Sequence, residues 1–248
     1  MSISAQPNAA WIEPIPLHKV RCRAGLALGV ILGIYVVAAY LMMPALWEVY
    51  AHDHPSLDGL ETIVYTASGI PGDPLNVGLV GTEAEVKKLF HDAGWHPADP
   101  LSIRADLKIA EATVLERSYA DAPVSSLYFE KRKEDLAFEK QIGPDPKKRN
   151  HVRYWKTDRK VDSGRPFWIG SATLDVGVEL SRTTGQITHR TGPDVDAERD
   201  YLLAQLNATG ELVEVYSEPD FHKRHEGKNG GGNAWFTDGA LKIGVIRP

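Results

Sequence analysis

An uncharged apolar stretch near the N-terminus constrains this chain more than any other feature. Residues 24–47 read AGLALGVILGIYVVAAYLMMPALW and contain no Asp, Glu, Lys or Arg. As a helix rising about 1.5 Å per residue, this stretch would extend about 36 Å, enough to cross a hydrocarbon layer of about 30 Å. A helix also pairs its own backbone groups, which lipid requires. We therefore predict a single transmembrane helix at 24–47.

Two other interpretations of this stretch stay open. A core helix of a soluble domain normally carries a polar stripe, and this stretch has none. A cleaved signal peptide would use the small residues at 37–39 or 49–51. Its apolar region is usually about 7–15 residues long, so the length here favours an uncleaved anchor.

The flanking charges predict an orientation. Lys19, Arg21 and Arg23 precede the apolar stretch, whereas the first basic residue after it is Lys87. Because positively charged flanks stay in the cytoplasm, we expect residues 1–23 to be a cytoplasmic tail and the rest of the chain to be extracytoplasmic.

Composition excludes several classes of protein. The 248 residues are 43% hydrophobic and 25% charged, as in globular proteins. The net charge of −5 argues against a nucleic-acid-binding protein, which would normally be basic. The single cysteine, Cys22, provides neither an intrachain disulfide nor a cysteine-based zinc site.

Beyond the apolar stretch we expect a linker at 48–71, with a short strand around 62–66, and a folded domain at 72–248. A helix is predicted to begin at the capping pattern of Thr82 and Glu85 and to end near Gly94. Helical periodicity also occurs at 103–115 and 194–206. Strands are predicted at 124–130 and 134–141 around a turn at 131–133, at 150–156, 167–180, 187–191 and 211–216, and in a last hairpin at 235–246 that turns at 238–239. The pattern favours an α+β fold, a mainly antiparallel β-sheet with about three helices, preceded by the transmembrane helix.

Short motifs follow one another along the predicted domain in a recognisable order. They are DPLN at 73–76, AGW at 93–95, APVSSLY at 122–128, RKEDLAF at 132–138, RNHVRYW at 149–155, WIG at 168–170, TH at 188–189, DVDAERD at 194–200 and TDG at 237–239. With these motifs, the chain resembles the LssY C-terminal domain family over residues 72–246. The family pattern has two adjacent histidines where this chain has Asn150 and His151, and it tends to repeat histidine where this chain has Arg190.

The resemblance implies a bacterial envelope protein. Some members of the family join this domain to membrane modules similar to phosphatidic acid phosphatases or DedA proteins, but the resemblance carries no assigned activity. Together with the apolar stretch, it predicts a single-pass protein of the inner membrane, with a cytoplasmic N-terminus and an extracytoplasmic domain.

Polar residues within the β-prone segments form the candidate site. Alternation places His151 and Arg153 on the same strand face as Trp155. If Asp175 and His189 lie nearby, these groups would form an anion pocket or an acid–base pair for a phosphate ester. The candidate catalytic residues are therefore His151, His189 and Asp175, and the candidate ligand-binding residues are Arg153, Arg132 and Trp155. A buried salt-bridge network that holds the sheet together would use the same residue types.

Metal binding is a second interpretation, because His151, His189 and Asp175, with Asp194 and Asp196, are ligand types for divalent cations. The acidic run at 194–198 departs from a calcium loop, since Arg199 stands where that loop needs glycine. Helix capping by Asp194 accounts for these acids more simply. Metal and cofactor content stay unknown at this point.

The run at 222–233, rich in histidine and glycine, matches neither a metalloprotease motif nor a phosphate-binding loop. We interpret it as a mobile, solvated loop.

Two functional hypotheses result. The first is a binding domain for an envelope partner, either a protein or an anionic lipid headgroup. The second is a hydrolase of a phosphorylated envelope or lipid substrate, with His151 and His189 as acid–base groups or metal ligands and Arg153 for the anion. The sequence contains no complete catalytic motif, such as Gly-x-Ser-x-Gly, which favours the binding domain.

Overall fold

The structure is a computed structural model that describes residues 17–43, 45–46, 62–98, 126–144, 148–160 and 164–248. The predicted helix at 103–115 and the beginning of the predicted strand at 124–130 lie outside the described residues.

The apolar stretch is helical. Helix α1 covers Leu17–Val37 and continues as a π-helical turn at Ala38–Met42. Residues Gly25–Met42 are long and apolar enough to cross a membrane, and only 6% of this segment is buried. A core helix of a soluble domain would be mostly buried, so the structure does not support that alternative. A membrane anchor and a signal sequence both fit the observation.

The domain contains two further helices and fourteen strands among the described residues. The helices are α2 at Glu83–Asp92 and α3 at Val195–Ala208. The strands are β1 Ile63–Tyr65, β2 Pro71–Pro74, β3 Val77–Val80, β4 His96–Pro97, β5 Tyr128–Phe129, β6 Arg132–Lys133, β7 Leu136–Gln141, β8 Arg149–Lys160, β9 Pro166–Leu180, β10 Ile187–Thr191, β11 Leu212–Glu218, β12 Glu226–Lys228, β13 Ala234–Phe236 and β14 Leu241–Ile246.

One large sheet organises the domain. Its strand order is β11-β14-β3-β9-β8-β7-β4, and β10 pairs with β9. Strands β14 and β3 pair in parallel, whereas β9 pairs antiparallel with β3, β8 and β10. The predicted fold class, α+β with a mainly antiparallel sheet and three helices, is confirmed.

Helices α2 and α3 cover one face of this sheet, and both begin as predicted. Thr82 and Glu85 form a complete capping box, and Asp194 accepts a hydrogen bond from the backbone of Ala197 at 2.9 Å. Such caps satisfy backbone donors that the first helical turn leaves unpaired. The core on this side of the sheet includes Val86, Leu89, Phe90, Val152, Tyr154, Trp168, Leu202 and Leu206.

A small sheet of order β2-β1-β5-β6 belongs to the second, opposite side. Its Val64 joins Trp155 and Ile169 of the large sheet in a buried apolar cluster. Strand β1, expected as a short strand around 62–66 within the predicted linker, therefore packs against the large sheet.

Two predicted turns differ from the structure. The turn predicted at 131–133 lies at Glu130 and Lys131, both with positive φ, and the next two residues form β6. The predicted hairpin at 235–246 is wrong. Strand β13 pairs with β12, whereas β14 pairs with β11 and β3 in the large sheet.

Candidate functional site

A polar cavity of about 120 Å³ lies against the second face of the large sheet. The register of β8 and β9 pairs His151 with Thr173 and Arg153 with Ser171, which puts these four side chains on that face. Hairpin β9–β10, strand β2 and the glycine run close the cavity from other sides. Its buried or partly buried polar lining includes Asp73, His151, Arg153, Thr173, Asp175, His189 and Asn229.

The structure brings four of the six candidate site residues together. His151, Arg153, Asp175 and His189 line this one cavity, although they come from three strands. The other two lie elsewhere. Trp155 is buried in the apolar cluster and donates through Nε1 to the carbonyl of Arg132 at 3.0 Å.

Arg132 itself is exposed, and its guanidinium pairs with Asp135 at 2.6 Å. Arg132 and Trp155 therefore do not line this cavity. Their role as ligand-binding residues stays a prediction that the cavity does not support.

Arg149 contacts three polar side chains beside the cavity. Its Nη1 lies 2.8 Å from Oε2 of Glu139 and its Nε lies 3.1 Å from Oδ2 of Asp175. Its Nη2 lies 3.0 Å from Nε2 of His189. A guanidinium only donates hydrogen bonds, so Nε2 of His189 is the acceptor and the proton of the neutral ring lies on Nδ1. That Nδ1 faces Oδ2 of Asp175 at 3.8 Å.

His151 is buried, and its Nε2 has no hydrogen-bond partner among the described residues. Burial lowers the pKa of His151 well below its usual value, and the positive charges of Arg153 and Arg149 lower it further. The imidazole is therefore neutral at pH 7. A buried polar atom without a partner is costly, which makes it a position where a ligand or water gains a hydrogen bond.

Arg153 is buried in the same wall, and burial lowers the pKa of its guanidinium, which remains protonated at neutral pH. The positive charge of Arg153 favours the ionised form of Asp73, which is also buried. Burial raises the pKa of Asp73, while a hydrogen bond from Asn229 and the charge of Arg153 act in the opposite direction. Asp73 therefore takes up its proton at a higher pH than an exposed aspartate does.

The domain carrying this cavity matches a known family. The family model for the LssY C-terminus matches residues 57–241, about three quarters of the 248 residues. The chain belongs to the LssY C-terminus family. No curated protein and no solved structure matches it. The function of this LssY C-terminus domain must therefore be argued from its cavity.

The glycine run of the LssY C-terminus domain is not a solvated loop, contrary to the sequence interpretation. Asn229 donates through Nδ2 to Asp73 at 3.0 Å and to Thr191 at 3.1 Å. A Cβ at Gly230 would lie 2.2 Å from Ile70, so only glycine permits this close packing. His222 is buried and hydrogen-bonded to the carbonyl of Leu75.

Sequence reasoning missed several members of the site. Thr173 shares the strand face of Asp175, so the alternation of β9 contained the signal for it. Asp73 belongs to the DPLN motif, but nothing local indicates that this carboxylate is buried against Arg153. The role of Asn229 depends on contacts with β2 and β10, which the sequence does not reveal.

Two of the acidic residues weighed as metal ligands, Asp194 and Asp196, do not line the cavity. Asp194 caps α3, as described above, and Asp196 pairs with Arg199 at 3.0 Å and accepts from Thr237 at 2.9 Å. Within the described part of the chain, no group of three or more His, Cys, Asp or Glu residues is arranged to hold a metal ion.

Proposed function

We propose that this protein is a membrane-anchored domain that binds the phosphate-bearing headgroup of an anionic envelope lipid in the polar cavity. Residues 24–47 would anchor it in the inner membrane, with residues 1–23 in the cytoplasm and the LssY C-terminus domain outside. The apolar helix and the basic residues before it support this arrangement.

The buried guanidinium of Arg153 in the cavity wall is the observation that carries the proposal. Arginine recognises phosphate through two parallel hydrogen bonds, and a buried arginine does so without competing bulk water. Arg153 lines the cavity, whereas Arg149, which contacts two carboxylates and a histidine, lies beside it. The unpartnered Nε2 of His151 supplies a second polar contact for the same ligand.

The size of the cavity favours a lipid headgroup over a protein partner. A volume of about 120 Å³ is well above the roughly 10–15 Å³ that a cavity needs to hold one water molecule. This space suits a single phosphate-sized group, whereas a protein interface buries a far larger surface.

Asp73 makes this binding dependent on pH. An ionised Asp73 would repel a phosphate and attract Arg153 itself, whereas the protonated acid would donate a hydrogen bond to the ligand. Because burial raises the pKa of Asp73, we expect tighter binding of the anion as the pH falls.

The test uses the full chain in detergent and two water-soluble probes, dihexanoyl phosphatidic acid and dihexanoyl phosphatidylcholine. We expect calorimetry to show saturable binding of the first probe and much weaker binding of the second. Arg153→Gln removes charged hydrogen bonds worth about 1.5–3 kcal/mol, so the dissociation constant should rise about 10-fold or more. The matched control is Arg132→Gln, which removes an exposed arginine outside the cavity.

Three results would contradict the proposal. The wild type shows no saturable binding, the two probes bind equally, or Arg132→Gln weakens binding as much as Arg153→Gln does. Circular dichroism of each variant checks that it is folded. Arg153→Lys, which keeps the charge and loses the planar fork, should weaken binding less than Arg153→Gln does.

Hydrolysis of a phosphate ester is the second candidate function. It is favoured by two groups in one cavity, a neutral His151 whose Nε2 has no partner in the described part of the chain, and a buried Asp73, because such groups act as base and acid. Asp175 and His189 would then orient the site, since Arg149 occupies Nε2 of His189.

The full chain should then release phosphate from a generic phosphomonoester, with or without added divalent cations. His151→Gln should abolish this release, whereas the exposed control His91→Gln should not change it. Absence of turnover under both conditions would leave binding as the function of the cavity.

A further inference from the structure

The end of hairpin β9–β10 exposes a group of apolar side chains. Val178, Leu180 and Ile187 are 45%, 58% and 47% exposed, and Leu180 pairs directly with Ile187 in the hairpin register. Three large apolar residues at one strand end form a patch of the kind that marks contact with another apolar surface.

The same hairpin contacts the apolar helix. The hydroxyl of Tyr35 donates to the carbonyl of Gly185 at 2.8 Å, and the backbone N–H of Ile187 donates to the hydroxyl of Tyr40 at 3.3 Å. Between the two tyrosines, Ala39 is buried, and a Cβ at Gly185 would lie 4.0 Å from its Cβ. These contacts fix the height of the hairpin tip along the helix.

That height lies within the apolar segment. Tyr35 precedes Met42, the last residue of the segment long enough to span, by seven residues. This separation corresponds to about 10 Å along the helix axis. Side chains lean towards the helix N-terminus, so the Tyr35 hydroxyl does not reach upwards towards the domain. If α1 crosses a bilayer, Gly185 lies below the headgroups of the leaflet that faces the domain.

The backbone N–H groups of the tip are all hydrogen-bonded. Every backbone N–H from Ser181 to Ile187 has an acceptor. The hydroxyl of Ser181 accepts hydrogen bonds from the backbone N–H groups of both Thr183 and Thr184. The hydroxyl of Tyr40 on the helix accepts from the backbone N–H of Ile187. Unpaired donors would oppose entry into the apolar layer, and the tip avoids that part of the cost.

We propose that the β9–β10 tip inserts into the leaflet of the bilayer that faces the domain, with Leu180, Ile187 and Val178 as its lipid contacts. The occupant of this patch is the acyl layer of the same membrane that holds α1. Arg182 lies within the tip and is exposed, and a long arginine side chain can extend its guanidinium towards the headgroups.

Insertion also determines how a ligand reaches the cavity. Ser181, Thr184, Gln186 and Ile187 belong to the hairpin and line the cavity at the same time. The cavity would then open at the level of the headgroups, and a lipid would enter sideways from the leaflet. This second step rests on the proposed function, whereas insertion of the tip rests only on α1 crossing the membrane.

The experiment measures depth in the full chain, reconstituted into vesicles of phosphatidylcholine alone. In a Cys22→Ser background, an environment-sensitive fluorophore is attached at Leu180→Cys or, separately, at Ile187→Cys. The matched control is Val213→Cys on β11, where the native side chain is 51% exposed. Aqueous iodide and lipids with nitroxide groups on their acyl chains serve as the two quenchers.

We expect iodide to quench the two tip labels several-fold less than the label at Val213→Cys, and the acyl-chain nitroxides to quench them several-fold more. Equal iodide quenching at all three positions, without quenching by nitroxide lipids, would overturn the proposal. Two positions are used so that one poorly folded variant does not decide the outcome. Since these vesicles contain no anionic lipid, a failure of headgroup binding would leave this result unchanged.

Discussion

Two halves of one sheet face, built from the same two strands, differ completely in character. At one end of β8 and β9, Trp155 and Ile169 pack with Val64 of the small sheet in a closed apolar cluster. Further along the same face, His151 and Arg153 border an open cavity. The backbone pairing continues unchanged from one half to the other. Side-chain chemistry alone therefore decides where this face closes and where it stays open.

The two halves also contribute oppositely to stability. Burial of Trp155 removes a large apolar surface from water and stabilises the fold. Burial of Arg153, His151 and Asp73 costs free energy unless partners or a ligand compensate for it. Under the proposed function, a ligand in the cavity would offset part of this free-energy cost.

Truncation in the apolar half should have the largest effect on stability. Trp155→Ala leaves a cavity and removes the hydrogen bond to the carbonyl of Arg132, so we expect a loss of about 5 kcal/mol, the upper end for Trp to Ala. Thermal unfolding of the full chain in detergent, followed by circular dichroism, should show a melting temperature lower by about 2–4 °C per kcal/mol. A loss within about 0.5 kcal/mol, typical of surface positions, would contradict close packing of this half.

Loss of Arg149, the buried cation beside the cavity, should have the second-largest effect on stability. Arg149→Met leaves Glu139 and Asp175 without their shared partner, and breaking a buried pair costs about 3–5 kcal/mol. We expect about 3 kcal/mol, the lower end, because Glu139 keeps some contact with solvent. The same thermal unfolding experiment measures this loss of stability. If Arg149→Met were as stable as the wild type, the network beside the cavity would not be structural.

The sequence predicted the parts of this face that depend on local periodicity. The alternation of β8 placed His151, Arg153 and Trp155 on one side, and the structure agrees, because a strand repeats every two residues whatever it pairs with. The capping box of Thr82 and Glu85 predicted the start of α2 for the same local reason.

The features that the sequence did not predict depend on long-range packing. The turn near Gly239 exists, with positive φ, but the strands on either side of it join different sheets, which no local pattern reveals. Asn229 and His222 looked solvated because of the glycines and charges around them. Asn229 is partly buried because Gly230 packs against Ile70 and because Asp73 of β2 accepts from its amide. His222 is buried where its ring is hydrogen-bonded to the carbonyl of Leu75.

The polar half should also make stability depend on pH. His151 has a pKa well below its usual value in the folded chain, so the unfolded chain binds the extra proton first as the pH falls below about 6.5. Stability should therefore be complete above that pH and decrease below it, by up to about 1.4 kcal/mol per pH unit from this residue. His151→Gln should remove this part of the slope, and the exposed control His91→Gln should not. Equal slopes in the wild type and in His151→Gln would mean that His151 is protonated in the folded state.

Removal of a buried serine hydroxyl should have the smallest effect on stability. The effect should differ between a hydroxyl that lacks a hydrogen-bond partner and one that has partners. Ser171 is buried beside Arg153, and its Oγ has no hydrogen-bond partner among the described residues. Ser181 donates to the carbonyl of Gly230 at 3.1 Å and accepts from two backbone N–H groups. Ser171→Ala should therefore leave stability unchanged or raise it by about 1 kcal/mol, whereas Ser181→Ala should lower it by about 1–3 kcal/mol.

The Ser171 comparison also reports on the cavity itself. If Ser171→Ala lowers the melting temperature as much as Ser181→Ala does, its hydroxyl has a partner in solution. Because the described side chains provide none, that partner would be water or a ligand that extends from the cavity to Ser171. The polar half would then extend beyond the side chains that line the cavity and hold more water or ligand. Its boundary with the apolar half would lie closer to Ile169.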